Sequence, residues 1–327
     1  MAYSLEVVRR ARAQLAQARE DRESENRQHL AEAYEKVPRI REIDLQLRKT
    51  MVAAAQAAFV SGMDGKKAME QIRQANLSLQ QERQDLAEAN FPVGYLDDSP
   101  VCDKCGGTGY IGTNMCECLK ELCRQEQKRE LTFLSGGRET FNQFRLEYYT
   151  DRVDSKFGYS PRQIMENTLQ KCRNYAFSFT KNSGNLLFSG GTGLGKTFLS
   201  ACIARVVADR GYSVVYESAP HLFAKLEAAK FNSTEENRRE AAQFSSCDLL
   251  IIDDLGTEMP GQFVSAALYT LVNDRILEGK PMVVSTNFSI DEIMRRYSPQ
   301  IASRLRGSFN LLTFVGEDIR VLKNRGY

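Results

Sequence analysis

The chain has little of several features that mark particular classes of protein. It has only two histidines, His29 and His221, which stand apart on predicted helices, and we expect neither to bind a metal. No stretch approaches the roughly 18 consecutive apolar residues of a membrane-spanning helix. The N-terminus carries charged residues where a secretory signal would have its apolar core. We therefore expect a cytoplasmic protein in a reducing compartment.

The chain also lacks a strong net charge and any internal repeat. Its 44 basic and 42 acidic side chains leave a formal net charge of +2. Charge therefore favours neither a strongly basic nucleic-acid-binding protein nor an enzyme for acidic substrates. With 327 residues, of which 42% are hydrophobic, the chain is long enough for two or three domains.

Residues 1–92 are predicted to be helical. They are rich in Ala, Gln, Glu, Arg and Leu, and Pro38 is the only proline before Pro92. Apolar residues recur at roughly helical spacing, without a regular heptad. Gly62 and Gly65 predict a turn, which would give a helical hairpin or a short coiled coil broken at Pro38. Such an arm is either a solvated spacer or a partner-binding element, and composition does not separate the two.

Cysteines cluster in the next segment, residues 93–125, among many glycines. Five of the eight cysteines lie between Cys102 and Cys123, which favours a metal site over a dispersed disulfide framework. A C-x-x-C pair and a C-x-C pair supply four thiolates, a ligand set that suits structural Zn²⁺. The predicted zinc ligands are Cys102, Cys105, Cys116 and Cys118. Cys123 is an alternative to either member of the second pair, and free thiols in a loop are the alternative to zinc.

The rest of the chain begins with a predicted linker and continues as alternating strands and helices. Residues 126–159 are the linker, with aromatic anchors, and residues 160–327 are predicted to form a doubly wound α/β domain with a mostly parallel sheet. Ser160, Pro161 and Gln163 predict a capped helix start. The predicted strands are Asn185–Ser189, Ser213–Glu217, Leu249–Asp253, Met282–Thr286 and Leu311–Val315.

A glycine-rich motif, GGTGLGKT, follows the first of these strands and precedes a predicted helix. It matches G-x-x-x-x-G-K-[ST], a phosphate-binding loop whose backbone N–H groups converge on phosphate oxygens. The residues predicted to bind ATP are Gly190, Gly191, Thr192, Gly193, Leu194, Gly195, Lys196 and Thr197. Lys196 would reach the β- and γ-phosphates, and the Thr197 hydroxyl would bind Mg²⁺.

Polar side chains end two further predicted strands. Asp253 and Asp254 follow the apolar run LLII, and Asn287 follows VVST. Ligands of open α/β sheets bind at the carboxyl ends of strands, so Asp253 is predicted to hold Mg²⁺ and Asp254 to activate water. Asn287 would position that water, or would simply terminate its strand. Arg304 and Arg320 would either neutralise charge on the γ-phosphate or form surface salt bridges.

The order GGTGLGKT, LLIIDDLG, VVSTN, SRL and EDIR resembles that of the AAA+ ATPases of the DnaC/DnaI helicase-loader and IstB type. The resemblance runs from Ser160 to the C-terminus. It extends back to Val101 for a bacterial DnaC-like subgroup, which carries a similar cysteine segment and an N-terminal helical region. It implies a P-loop AAA+ fold for the α/β domain, preceded by a helical arm and a small zinc module.

The resemblance also implies a role for each polar residue. Asp253 corresponds to the Walker B metal residue, and Asn287 to sensor 1. Arg304 corresponds to the arginine finger, which acts on a neighbouring subunit's ATP, and Arg320 to sensor 2, which acts within its own subunit. The catalytic acid of AAA+ proteins is usually Glu, so the shorter Asp254 is a departure that fits a slow switch better than a fast motor.

Membership of this group would make the chain an ATP-hydrolysing protein of DNA replication. The implied partners are a ring-shaped replicative helicase, single-stranded DNA and further copies of the chain. In related loaders the zinc module serves contact with the helicase or with DNA. Two alternatives stand beside this reading. One is a transposition helper ATPase of the IstB type, which usually lacks the zinc module and the helical arm, and the other is a non-enzymatic adaptor that senses ATP.

Overall fold

The structure is a computed structural model that describes residues 3–57, 63–134, 139–155 and 158–324. The chain divides into two compact units. Residues 13–118 form one unit, and residues 1–12 together with 119–327 form the other. None of the helices in the described ranges is long and apolar enough to span a membrane.

The chain begins with three helices, which are α1 (Leu5–Lys36), α2 (Pro38–Ala57) and α3 (Met63–Asn90). The predicted break falls at Val37, and Pro38 is the first residue of α2, where the missing N–H of proline leaves no intrahelical bond unmade. The sequence therefore locates both the helical region and its interruption.

Helices α2 and α3 form the predicted helical hairpin. Three pairs of side chains join them, with shortest distances of 2.7, 2.7 and 2.6 Å, in Arg39–Glu82, Arg83–Asp44 and Thr50–Asn76. Arg39 near the start of α2 pairs with Glu82 late in α3, and Thr50 further along α2 pairs with Asn76 earlier in α3, so the helices run antiparallel. Of the two glycines predicted to form the turn, Gly65 lies within α3, and Gly62 lies outside the described residues.

The cysteine segment folds around a small antiparallel hairpin of β1 (Tyr110–Ile111) and β2 (Asn114–Met115). Helix α4 (Glu117–Leu134) follows it, and single turns of 3-10 helix cover Phe141–Gln143 and Leu146–Tyr148. Much of the stretch predicted as a linker is therefore helical. The division at residues 92, 125 and 159 stays a prediction.

The α/β domain contains a five-stranded sheet. Its strands are β3 (Asn185–Ser189), β4 (Val214–Ser218), β5 (Leu249–Leu255), β6 (Met282–Thr286) and β7 (Phe309–Thr313). They pair in parallel in the order β4-β5-β6-β3-β7, which confirms the predicted parallel sheet. Its helices are α5 (Pro161–Ser178), α6 (Lys196–Asp209), α7 (Ala219–Phe231), α8 (Glu235–Ser246), α9 (Gln262–Leu277), α10 (Ile290–Arg296), α11 (Pro299–Ser308) and α12 (Ile319–Asn324).

The last strand begins two residues earlier than predicted. Its register with β3 pairs Asn185 with Phe309 and Ser189 with Thr313. Phe314 and Val315, which the prediction placed in the strand, instead follow it and are buried in the core. Their apolar character reflects that core position, and the strand ends where its partner β3 ends.

The predicted capped start of α5 is confirmed. Ser160 Oγ accepts the N–H of Gln163 at 3.2 Å, and Gln163 Oε1 accepts the N–H of Ser160 at 3.1 Å. This reciprocal pair satisfies backbone donors that the first helical turn cannot satisfy itself. The cap therefore specifies where the domain's first helix begins.

The edge strand β4 is covered at one point by a side chain of its own unit. Gln127, a buried residue of α4, donates Nε2 to Tyr212 O at 3.0 Å. Its Oε1 accepts the N–H of Val214 at 3.0 Å. The amide thus makes the two bonds that a neighbouring strand would make there.

Arg275 is the largest fully buried side chain among the described residues, and it donates hydrogen bonds to several backbone carbonyls. Its guanidinium donates to Phe244 O at 2.7 Å, to Cys247 O at 3.2 Å and to Pro281 O at 2.8 Å. These groups belong to the end of α8, the turn after it and the residue before β6. A single side chain therefore satisfies carbonyls from separate parts of the domain.

We expect Arg275→Ala to lower the free energy of unfolding by about 3 kcal/mol or more, because it leaves buried carbonyls without a donor and creates a cavity. Urea denaturation followed by circular dichroism measures the change. Arg306→Ala is the matched control, since that exposed guanidinium forms a surface ion pair with Asp291 at 3.3 Å, and it should leave stability nearly unchanged. Equal effects of the two substitutions on the free energy of unfolding would contradict a stabilising role for the buried Arg275 hydrogen bonds.

Candidate functional site

The phosphate-binding loop connects β3 to α6, and its packing requires glycine at two positions. Gly195, before the first residue of α6, has φ +91°, a left-handed conformation that side chains disfavour. At Gly193, where φ is +69°, an added Cβ would lie 1.9 Å from Asp318 Oδ1. Both glycines line a cavity, so the loop presents the N-terminus of α6 to that space.

Lys196 is tied into the loop from which it projects. Its Nζ donates to Gly190 O at 2.8 Å, to Gly191 O at 2.6 Å and to Asn287 Oδ1 at 2.7 Å. The side chain is buried, and burial lowers the pKa of the ammonium against the opposing charge of Asp254. The residues predicted as phosphate-binding lysine and as sensor 1 are therefore in direct contact.

The acid pair lies at an irregularity of the sheet. The pairing of β5 with β6 shifts between Ile252 and Leu255, so Asp253 and Asp254 fall within a bulge. Asp254 has φ +54° and is the only non-glycine residue of the described ranges with positive φ. Its N–H donates to Ser285 Oγ at 2.9 Å, a bond that helps to hold this unfavourable conformation.

The carboxylate of Asp253 is buried and held by two hydroxyls. Its Oδ2 accepts from the hydroxyl of Tyr216 at 2.8 Å, and its Oδ1 accepts from the hydroxyl of Ser285. Burial and the charge of Asp253 raise the pKa of Tyr216, so its hydroxyl stays a donor. Sequence reasoning missed both partners. In the sequence these partners are marked only by a side-chain hydroxyl on each of the two strands that flank β5.

Asp254, in contrast, faces the cavity. Burial raises its pKa, as does the charge of Asp253, while Lys196 and Arg320 act in the opposite direction. A carboxylate with a raised pKa is a stronger base than an ordinary one. The arrangement therefore gives the acid pair two environments, one carboxylate bonded within the sheet and one open to a ligand.

The cavity has a volume of about 520 Å³ and includes the loop residues Thr192–Phe198 in its wall. Asp254, Asn287 and Arg320 also line it, so with the six loop residues Thr192–Thr197 the structure brings together nine of the residues predicted for the ATP site. A space of this size falls within the range of small-ligand pockets.

Aromatic residues form another part of the cavity wall, and sequence reasoning had not assigned them to a site. Phe144 stacks on Tyr149 with ring centroids 5.7 Å apart, and the Tyr149 hydroxyl donates to Leu194 O at 2.9 Å. Lys323 lies over the ring of Tyr148, 5.6 Å from its centroid. Such flat apolar surfaces suit a planar base. The sequence feature that could have identified this part of the site is the run of aromatic residues before Ser160.

The two predicted arginines have different positions. Arg320 lies in the first turn of α12 and lines the cavity. Arg304 lies on α11 and is not among the residues that line it. The structure therefore brings Arg320, but not Arg304, to the phosphate-binding loop of its own chain.

The predicted magnesium ligands, Thr197 and Asp253, fit that ion by the chemistry of their donor atoms. Mg²⁺ prefers oxygen ligands and binds through few protein groups together with substrate phosphates. Thr197 supplies a hydroxyl in the cavity wall, and Asp253 supplies a carboxylate from the adjacent bulge. Their roles stay predictions.

The four predicted zinc ligands form a compact cluster within the unit of residues 13–118. The sulfurs of Cys102, Cys105, Cys116 and Cys118 all lie within 4.8 Å of one another. Two of the sulfur pairs are separated by 3.8 and 3.5 Å. Tetrahedral zinc with Zn–S bonds of about 2.3 Å requires sulfurs about 3.8 Å apart, so the donor set fits the ion.

The cluster also contains a group that favours thiolate. The N–H of Gly109 donates to the sulfur of Cys105 at 3.3 Å. Burial raises the pKa of this thiol, but the bonds from Gly109 and Cys118 outweigh it and lower the pKa to about 6. Cys123, the predicted alternative ligand, is buried on α4 and is not a member of the cluster.

A comparison with protein families matches the part of the chain that contains the phosphate-binding loop. Residues 142–301 match the family described as IstB-like ATP binding protein. The chain is similar to the replicative helicase loader DnaC of Escherichia coli strain K12, with 26% identity over 140 residues that cover 43% of this chain and 57% of that protein. It is also similar to the replicative helicase loader DnaI of Bacillus subtilis strain 168, with 27% identity over 124 residues, 38% of this chain and 39% of the relative.

Among solved structures, the crystal structure of the DnaC helicase loader is 17% identical and superposes with a TM-score of 0.44. It covers 54% of this chain and 98% of that one. The chain spans at most 57% of the length of the two curated relatives named above.

We expect Lys196→Ala to abolish ATP hydrolysis and to weaken ATP binding by about 10- to 100-fold, the value of one or two charge-assisted hydrogen bonds. Titration with a fluorescent ATP analogue measures the affinity. Lys128→Ala is the control, because that lysine forms an exposed ion pair with Asp209 at 2.9 Å outside the cavity. Hydrolysis by Lys196→Ala at the parent rate would show that the site is wrongly assigned.

We expect the purified chain to contain about one zinc ion, and Cys105→Ser and Cys118→Ser to lose it, since each removes one of four thiolates. Elemental mass spectrometry of the protein gives the ratio of zinc to chain. Cys123→Ala is the matched control and should retain the metal. Loss of zinc from Cys123→Ala with retention in Cys118→Ser would favour the other ligand set.

Proposed function

We propose that this chain, which belongs to the DnaC-type, IstB-like family of AAA+ ATP-binding proteins, hydrolyses ATP and uses that cycle to act on a replicative helicase. The observation that carries the proposal is the contact of Lys196 with Asn287 beside a cavity that also exposes Asp254 and Arg320. These are the groups that phosphoryl transfer needs, because they bind phosphate, position water and neutralise developing charge.

Each residue would act at a defined point of the reaction. Lys196 binds the β- and γ-phosphates, and Thr197 and Asp253 hold Mg²⁺, which supplies charge neutralisation when bound. Asp254 takes the proton of the attacking water, and Asn287 orients that water. Most of the rate enhancement would come from positioning and electrostatics, because the transferred phosphoryl group needs little covalent help.

Two arginines would complete the site. Arg320 lines the cavity of its own chain and would contact the γ-phosphate in cis. Arg304 lies elsewhere on α11 and would serve the ATP of the next subunit. ATP would then be sandwiched between two chains, so that binding favours assembly and hydrolysis releases it. Asp254 stands where AAA+ proteins usually have Glu. Its shorter side chain would keep ATP turnover slow, as a switch requires.

The remaining parts would provide partners for the cycle. The helical arm of residues 1–92 and the cysteine module would contact the helicase, and the ATPase core would contact single-stranded DNA. The similarity to DnaC and DnaI supports a cytoplasmic role in DNA replication. The four cysteines would hold a structural zinc ion, because a site with four protein ligands leaves no position open for catalysis.

A second candidate function follows from the matched family itself, whose description is IstB-like. A transposition helper would share the ATP site and differ in its partner, a transposase. A third candidate, an adaptor that senses ATP without turnover, would share the binding residues and lack catalysis. The following two experiments separate these candidates.

We expect Asp254→Asn to reduce ATP turnover by about 100-fold or more while ATP affinity stays near that of the parent, because only the base is lost. Phosphate release, measured with and without single-stranded DNA, reports turnover. Asp291→Asn, at an exposed carboxylate paired with Arg306, is the control. Zero turnover by the parent chain under both conditions would favour the adaptor.

We expect the chain with ATP to assemble the replicative helicase of its source organism onto circular single-stranded DNA that has no free end. Helicase bound to the circles is measured after gel filtration, with Asp254→Asn and a chain lacking the helical hairpin, residues 38–90, as comparisons, because residues 1–12 belong to the unit that contains the ATP site. The shortened chain should fail to recruit helicase but should still bind ATP. Stable binding of a transposase in place of the helicase would overturn the loader proposal.

A further inference from the structure

The carboxylate of Asp253 has an unusually complete set of protein partners. Hydroxyl groups from two neighbouring strands donate to its two oxygens, Tyr216 from β4 and Ser285 from β6. Asp253 itself is only 6% exposed. Its orientation is therefore determined by the sheet and not by solvent.

The register of the sheet explains why Tyr216 reaches this carboxylate. In the pairing of β4 with β5, Tyr216 stands opposite Ile251, and Ser218 stands opposite Asp253. Residues two apart on a strand share a face, so Tyr216 and Asp253 lie on the same face of the sheet. The long phenol side chain reaches from the level of Ile251 to that of Asp253, two residues further along β5. Its hydroxyl lies 2.8 Å from Oδ2 of Asp253.

Ser285 makes a different, double connection. Its fully buried hydroxyl donates to Asp253 and at the same time accepts the N–H of Asp254 at 2.9 Å. That second bond holds the left-handed backbone of Asp254, at φ +54°. One hydroxyl therefore links the orientation of the first carboxylate to the backbone conformation of the second.

We propose that Tyr216 and Ser285 are positioning residues for the metal ion that accompanies the bound nucleotide. The inference rests on the ATP site of the proposed function. Hydrogen bonds from Tyr216 and Ser285 fix the rotation of the Asp253 carboxylate, so its remaining lone pairs keep one direction. Groups that orient a metal ligand in this way contribute about 10- to 100-fold to metal affinity or activity.

The two residues have separable effects, which distinguishes positioning from a merely structural role. Among the described residues the Tyr216 hydroxyl hydrogen-bonds only to Asp253, so the hydroxyl influences the metal alone. Ser285 contacts both acids, so its hydroxyl influences the metal and also the placement of Asp254, the base. Tyr216→Phe should therefore change metal affinity with little change in turnover at saturating metal, whereas Ser285→Ala should lower both.

The test uses the full chain with Mn²⁺ as the probe and a non-hydrolysable ATP analogue. Electron paramagnetic resonance measures free Mn²⁺, and we expect Tyr216→Phe and Ser285→Ala to bind the ion about 10-fold more weakly than the parent. Affinity for the analogue in EDTA should be unchanged. Turnover at saturating Mg²⁺ should be near the parent value for Tyr216→Phe and at least about 10-fold lower for Ser285→Ala.

Tyr175→Phe is the matched control, because that tyrosine is also largely buried and its hydroxyl has no hydrogen-bond partner in the described residues. It should bind Mn²⁺ like the parent. Thermal melting checks that each variant is folded. If one of the two test variants does not fold, the Mn²⁺ affinity of the other decides the test. Parent-like Mn²⁺ affinity in both would overturn the inference and leave the helicase proposal standing. Failure of the parent to bind the analogue would overturn the proposed function as well.

Discussion

The parallel pairing of β6 with β3 on one side and β5 on the other is the constraint on which the site depends. The register sets Thr286 opposite Ser189 of β3 and opposite Leu255 of β5. Three strands therefore end at one edge of the sheet. The phosphate-binding loop follows β3, the acid pair lies near the end of β5, and Asn287 follows β6. The 2.7 Å bond from Lys196 to Asn287 joins the loop after β3 to the end of the central strand β6, and Ser285 joins the acid pair to the same central strand.

Much of this arrangement could be predicted from the sequence, because its parts are local. The loop between a strand and a helix, the capping box at Ser160 and the apolar run before Asp253 each depend on a few adjacent residues. The cysteine spacing was similarly informative, since the hairpin that joins the two pairs needs only a few residues. For these features local sequence and final structure agree, as expected of a consistently folding chain.

The remainder depends on contacts between residues distant in sequence. The bulge that gives Asp254 its positive φ arises from the pairing of β5 with β6, and no local pattern marks it. The aromatic anchors at Phe144 and Tyr149 were visible, but their place in the cavity wall depends on the path of the chain before α5. The start of β7 was misplaced because buried core residues beyond a strand are as apolar as residues within it.

The amide of Gln127 has a consequence for how copies of the chain can associate. An open sheet edge is a template on which another molecule can add a strand, and proteins that assemble reversibly must block that route. Gln127 occupies donor and acceptor positions on the β4 edge, so strand addition there would first have to displace a buried side chain. Addition of a further strand is thus suppressed at this edge of the sheet.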